Sequence, residues 1–278
     1  TRLPRNRTEG DIPKIALTTG SADPLECLLK KVGLDESEFG IAGSEARVHL
    51  YAGGGTAPAA PTSSLKSGAA FTSATTLWGT VDELKKYDIV MLSCEGSELP
   101  DTKPLSARQA LYDYAKIGGR VFTSHYHHYW FSSSPVADVK GLASWTNDFT
   151  CQGGSCPIEP EPPATPPINA TVNTSFPKGA AMKEWLRNTQ SLTGPNETLP
   201  IEEARHNINS VTPKALSWMT IQNPAAGNKT AHEYVTFNTP VGAADTEVCG
   251  RVVYSDLHVG AGDKTGVAFP DGCTTPDL

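Results

Sequence analysis

Between Tyr87 and Ser124 the chain reads strand, helix, strand with few residues to spare. "YDIVMLS" is an apolar run too short for a helix. "SARQALYDYAKIGG" carries apolar residues at helical spacing and stops at Gly118-Gly119, and "RVFTS" is apolar again. Two buried strands joined through a helix become parallel neighbours in one sheet, with the helix laid over a face. The chain begins the same way. "KIALTTG" (Lys14 to Gly20) reads as a buried first strand. The helix after it is predicted to use Asp23 as N-cap, Pro24 at its first position and Glu26 in a capping box. Leu25, Leu28, Leu29 and Val32 form its apolar face, and Gly33 ends it. "ARVHLYAGGG" (Ala46 to Gly55) is a further strand, running into a Gly/Ala/Pro/Ser loop. Thr80 and Glu83 box a short helix, and Ser106 with Gln109 is predicted to cap the helix before Gly118. Strands alternating with capped helices predict an α/β fold with a mostly parallel sheet and helices on both faces.

The middle of the chain changes character. "CQGGSCPIEPEPPATPPINA" (Cys151 to Ala170) is too rich in proline for a helix or a central strand. Strand-like material resumes beyond it in "ALSWMTI", "AHEYVTFNTPV" and "CGRVVYSDLHVG", with one helical stretch, "GAAMKEWLRNT". Residues 1–278 are therefore read as a single domain carrying a Pro-rich insertion at about 151–170.

Composition narrows the setting. The formal net charge is -7 with no basic stripe, which argues against a nucleic-acid partner. No apolar run approaches the roughly 20 residues of a membrane-spanning helix. The opening "TRLPRNRTEGD" has no apolar signal region and no initiator Met, so a processed or excised chain is expected. There are six cysteines, an even number at wide spacing, which predicts disulfides: Cys151 with Cys156, Cys249 with Cys273, and by remainder Cys27 with Cys94. Together with N-x-S/T sequons at Asn6, Asn169, Asn173, Asn196 and Asn228, this predicts a secreted, periplasmic or cell-surface location.

The order of these motifs resembles a known family. Tyr87-Asp88, Tyr114 through Gly118-Gly119, His125, the "ALSWM" strand and "GRVVYSDL" (Gly250 to Leu257) match motifs of the trehalose-utilisation (ThuA-like) group of the class I glutamine amidotransferase-like superfamily. His258 stands one place earlier than the family histidine. The resemblance runs from about Lys14 to Gly260. It implies a flavodoxin-like three-layer sandwich and a carbohydrate-like ligand at the C-terminal edge of the sheet. The Pro-rich insertion and the cysteines depart from the pattern. Amidotransferases of the superfamily present a cysteine on a sharp G-x-C-x-G turn. The matching stretch here is "FTSHYHH", so glutamine hydrolysis is not expected; Cys94 follows a different strand.

Three of the seven histidines, His125, His127 and His128, crowd that turn. Continued as a strand, it would point His125 and His127 one way and His128 the other. With Glu95, Asp256 or His258 they could form a catalytic cluster, or His125 and His127 could hold a divalent metal. Ser124 is a second nucleophile candidate, but G-x-S-x-G is missing. An aromatic–histidine wall is the alternative, with His127, His128 and Trp130 as a ligand platform and Trp145 and Trp218 as further stacking residues. His206 is read as an exposed helix or loop residue, with Glu202 and Glu203 nearby able to join a site. "DGCTTPD" and "GAGDKTG" match no calcium loop. The leading expectation is a secreted ThuA-like domain that binds or processes a carbohydrate-like ligand. Two alternatives stay open: a non-catalytic surface, adhesion or self-assembly module, alone or within a larger multidomain protein, and a histidine-based metal-dependent hydrolase or oxidase.

Overall fold

The computed structural model describes residues 3–55, 60–148, 157–260 and 262–274. The first half supplies β1 (Ile15–Thr18), α1 (Leu25–Lys31), β2 (Phe39–Ile41), β3 (Val48–Ala52), β4 (Thr72–Ser73), α2 (Ala74–Leu77), α3 (Val81–Leu84), β5 (Ile89–Leu92), α4 (Leu105–Lys116) and β6 (Arg120–Ser124). After β6 come α5 (Tyr129–Ser132), α6 (Ala137–Lys140), β7 (Ala143–Trp145), β8 (Ile168–Val172), α7 (Pro177–Asn188), β9 (Leu199–Ile201), β10 (Ile208–Val211), β11 (Ala215–Asn223), β12 (Lys229–Thr239) and β13 (Gly250–Ser255). The large sheet runs β2-β3-β1-β5-β6-β13-β12-β11-β8-β9, with β4 beside β3, and β7 and β10 form a separate pair. From β2 to β13 its neighbours are parallel; from β13 outward to β9 they are antiparallel. The result is a mixed α/β architecture with a large, mostly parallel sheet.

Alternation along the central strands buries both faces. Ala16, Val90, Leu92 and Val121 join a core with Leu77, Leu84, Leu111 and Tyr114 from α2, α3 and α4. Ile15, Leu17, Met91 and Phe122 face the other way, against Leu25, Leu28 and Leu29 of α1. Strands apolar on both faces read as continuous hydrophobic runs, as "IVML" does. Gly118 adopts φ +115°, which a side chain would resist, and so ends α4. Among the described residues no helix is long and apolar enough to cross a membrane.

Several local expectations are corrected. Thr80 caps α3 through the Glu83 N–H as predicted, but Asp23 does not cap α1. Its Oδ1 accepts instead from the Val259 and Gly260 amides, and Pro24 occupies the cap position. Helix α4 starts after Pro104, one residue before Ser106, without a side-chain cap; Gln109 donates to Asp113 further along. β8 begins at Ile168, at the end of the Pro-rich stretch read at about 151–170.

The cysteine pairing is also different. Cys27 is bonded to Cys273. Neither the Cys249–Cys273 nor the Cys27–Cys94 bond forms: Cys94 is a buried free thiol and Cys249 an exposed one. The physical reason is the path of the tail. After β13 the chain folds back over α1, held by Asp23 at its start and by Lys31 with Asp263, and this carries Cys273 to Cys27. Cys151 and Cys156 lie outside the described residues.

Candidate metal centre

Parallel register assembles the site. Leu92 lies beside Thr123, so the chain positions two residues on, Cys94 and His125, follow neighbouring strand ends. On the other side of β6, Ser255 lies beside Ser124, and Asp256 and His258 follow. Gly20, after β1, permits the close approach of the Cys94 backbone: a Cβ there would sit 2.1 Å from the Cys94 carbonyl oxygen.

At His125 the strand stops. Its φ is +36°, and residues His125–His128 wind into a 3-10 turn that leads into α5. A non-glycine residue held in this region costs of order 1–3 kcal/mol and marks a place where surrounding structure imposes the conformation. Here Tyr254 does so: its hydroxyl lies 3.0 Å from the His125 carbonyl oxygen and 2.6 Å from Asp256 Oδ1. The turn also overturns the strand-based prediction of which way the histidines point.

The turn aims His125 Nδ1 at Cys94 Sγ, 3.5 Å away, and at His258 Nε2, 3.2 Å away. All three atoms lie within 4.8 Å of one another. A tetrahedral zinc with bonds of about 2.3 Å to sulfur and 2.0–2.1 Å to nitrogen needs ligand atoms roughly 3.3–3.6 Å apart. The separations to His125 Nδ1 are close to that spacing. Behind His258, its Nδ1 lies 3.0 Å from Glu203 Oε2, and Arg205 Nη2 lies 3.4 Å from the same carboxylate. The far nitrogen of His125 faces Glu161 Oε1 at 3.9 Å without a hydrogen bond. Glu161 belongs to the Pro-rich insertion, which is tied down where Asn147 and Asn223 bond to its backbone at Glu159 and Pro160.

The electrostatics follow from burial and neighbours. Burial, reinforced by the nearby His258 and Arg205 charges, holds His125 well below the usual imidazole range, so it is neutral and able to offer a lone pair. Burial opposes the His258 cation, but hydrogen bonds with Cys94 and Glu203 outweigh it and lift the group to about 9. Burial raises Asp256 to about 7, against hydrogen bonds from Tyr254 and the Asn207 amide, and pushes the adjacent Glu233 well above the carboxylate range.

The other predicted residues take different places. His127 is buried with both nitrogens in use: Nε2 lies 2.7 Å from the Ser93 carbonyl, and Nδ1 accepts from the Trp130 indole at 2.8 Å. It is neither a metal ligand nor a platform. Trp130 is buried edge-on against Trp78, so it offers no stacking face. His128 is buried, stacked on Trp145, and turned away from His125 toward Glu98. Glu95 is not at the centre; its carboxylate is paired with the buried Lys103 and accepts from the Gly54 amide. Asp256 reaches the site through Tyr254, and its backbone carbonyl accepts the Arg205 N–H at 2.9 Å. Ser124 Oγ accepts the Cys94 N–H at 2.9 Å. His206 is buried, not exposed, between Asn209 and Asn223. Trp218 donates to Thr236. Asp263 of "GAGDKTG" is occupied by Lys31 and Thr274.

Sequence reasoning missed Cys94 as a free ligand and gave no role to Glu161 or Arg205; Glu203 entered it only with Glu202, as a neighbour of His206 able to join a site. One signal was available for Cys94: it follows its strand by the same two positions as His125 follows Thr123. No family model matches the chain, and no curated protein matches it. Among solved structures it is similar to a cytoplasmic protein from Salmonella typhimurium, at 12% identity and a TM-score of 0.42, over 88% of this chain and 87% of that one.

Proposed function

We propose that the chain is a secreted, single-domain, ThuA-like protein of flavodoxin-like layering that hydrolyses a carbohydrate-like ligand at a metal centre formed by Cys94, His125 and His258. The observation that carries this reading is the convergence of one thiol and two imidazole nitrogens, at 3.5 and 3.2 Å from His125 Nδ1, on a strained turn at the C-terminal sheet edge. Open α/β sheets bind ligands at that edge. Three protein ligands of this kind leave a fourth position for the reaction; a zinc ion held there would displace the proton that His258 otherwise carries and would supply Lewis acidity. Glu203 holds the His258 ring so that Nε2 faces the centre, the usual task of a carboxylate behind a metal-binding histidine. Tyr254, backed by Asp256, fixes the turn that aims His125. Glu161, whose side chain is 42% exposed, is placed to take a proton from an incoming water. Arg205 offers a cation to a developing oxyanion beside it. The carbohydrate class rests on the family resemblance, and the polar mouth of Glu161, Glu203 and Arg205 is compatible with it. Secretion is supported by the Cys27–Cys273 bond.

Elemental analysis of untagged protein tests the centre, comparing wild type with Cys94→Ser and His258→Gln. The expected result is that wild type holds one equivalent of zinc, copper or iron more than either variant. Equal metal content in all three proteins, or none in wild type, would overturn the reading. Release of sugar from a glycoside panel by wild type alone would support the substrate class.

One further arrangement favours a second reading. Cys94, His258 and Glu203 also line up as nucleophile, protonated imidazole partner and orienting acid. Full activity after metal removal, abolished by iodoacetamide at Cys94, would select it over the metal centre.

A further inference from the structure

A second group lies under the same turn. Glu98 follows β5, His128 closes the turn after β6, and Asp148 follows β7 just ahead of the Pro-rich insertion. All three are buried, and their ligand atoms lie within 4.8 Å of one another. The hydrogen-bond network fixes how His128 is used. Ser132 donates its hydroxyl hydrogen to Asp148 Oδ2, so its oxygen is left to accept from His128 Nδ1, 3.4 Å away. With the proton on Nδ1, His128 Nε2 carries a lone pair. That lone pair faces Glu98 Oε1 at 3.3 Å and makes no hydrogen bond. Two acceptors turned toward each other repel unless a positive charge lies between them, and the lack of hydrogen-bond alignment argues that this charge is not a proton.

We propose that Glu98, His128 and Asp148 form a second divalent-cation site, separate from the Cys94 centre and harder in character. Two carboxylates and one imidazole suit manganese(II) or zinc(II), whereas the thiolate and imidazoles of the first centre suit softer ions. The role is structural. The ion ties the loop after β5 and the turn after β6 to the segment entering the insertion that carries Glu161.

The test uses the full chain in the Cys94→Ser/His258→Gln background, which lacks the first centre, so the fates of the two sites are read apart. The chain is stripped with chelator and titrated with manganese(II) alone, following the electron paramagnetic resonance signal of the free ion. One ion bound per chain is expected, with a rise in melting temperature. Adding Glu98→Gln or Asp148→Asn should abolish both effects; two variants are used so that a folded one, checked by circular dichroism, is available. No binding in the parent background, or binding unchanged in a folded Glu98→Gln or Asp148→Asn protein, would overturn the proposal.

Discussion

Two sets of charged groups, one in the parallel half of the sheet and one beside the antiparallel half, are held in opposite ways. The first set is buried. Lys103 pairs with Glu95, both fully buried, while Glu26 is fully buried with neither carboxylate oxygen hydrogen-bonded. Beside the antiparallel half, Arg187 on α7 reaches Glu184 and Glu197 in open water. Both sets join a basic side chain to glutamate. The difference is desolvation, which makes a buried charge depend on its partners and leaves an exposed charge indifferent to its own.

Removing the tail clasp should have the largest effect. The Cys27–Cys273 bond spans 246 residues and closes nearly the whole chain. The double replacement Cys27→Ser/Cys273→Ser is expected to lower stability by about 4–5 kcal/mol in urea unfolding. A loss no larger than that of a surface variant would mean the tail is held by Asp23 and Lys31 without the bond.

Lys103→Met comes next. It leaves Glu95 buried without its cation and should cost about 4 kcal/mol. Adding Glu95→Gln should restore much of that loss. If the single variant is as stable as wild type, the contrast between the two halves fails.

Glu26 gives a pH-dependent version of the contrast. Burial raises it from 4.5 to about 7. The folded chain therefore binds a proton more tightly than the unfolded one. The associated stability is full below pH 4.5 and is lost as pH rises to about 7. That shift corresponds to about 3 kcal/mol. Glu26→Gln should be more stable than wild type at pH 8 and should flatten the stability profile between pH 5 and 7, as followed by denaturant midpoint against pH. A profile identical to wild type would mean Glu26 is solvated.

The smallest effect is expected at Arg187→Ala. Its denaturant midpoint should match wild type, because water replaces Glu184 and Glu197 at little cost. A clear drop would show that exposed networks matter on the antiparallel side as well.

What could be read in advance divides along the same line. The parallel half was legible because its strands are continuous apolar runs and its helices carry local signals: the Thr80 cap formed, and Gly118 ended α4. Asp23 shows where local reading stops. Its position before Pro24 resembled a cap, but the returning tail claimed its carboxylate through two amides more than 230 residues away. The same return decided the disulfide, so both errors share one cause. The histidine turn was misread for a related reason. Strand periodicity predicts side-chain direction only while φ stays extended, and Tyr254 holds His125 at φ +36°.

The sequence by itself determined that short apolar strands would alternate with helices, and that His125 and His258 would follow strand ends. Periodicity and local capping act over a few residues, and the sequence states them directly. Only the tertiary structure decided that Cys94 remains a thiol facing both histidines, that Glu203 stands behind His258, and that the insertion brings Glu161 to the mouth. Those contacts join segments far apart in the chain, and their geometry is set by sheet register and the packing of the tail.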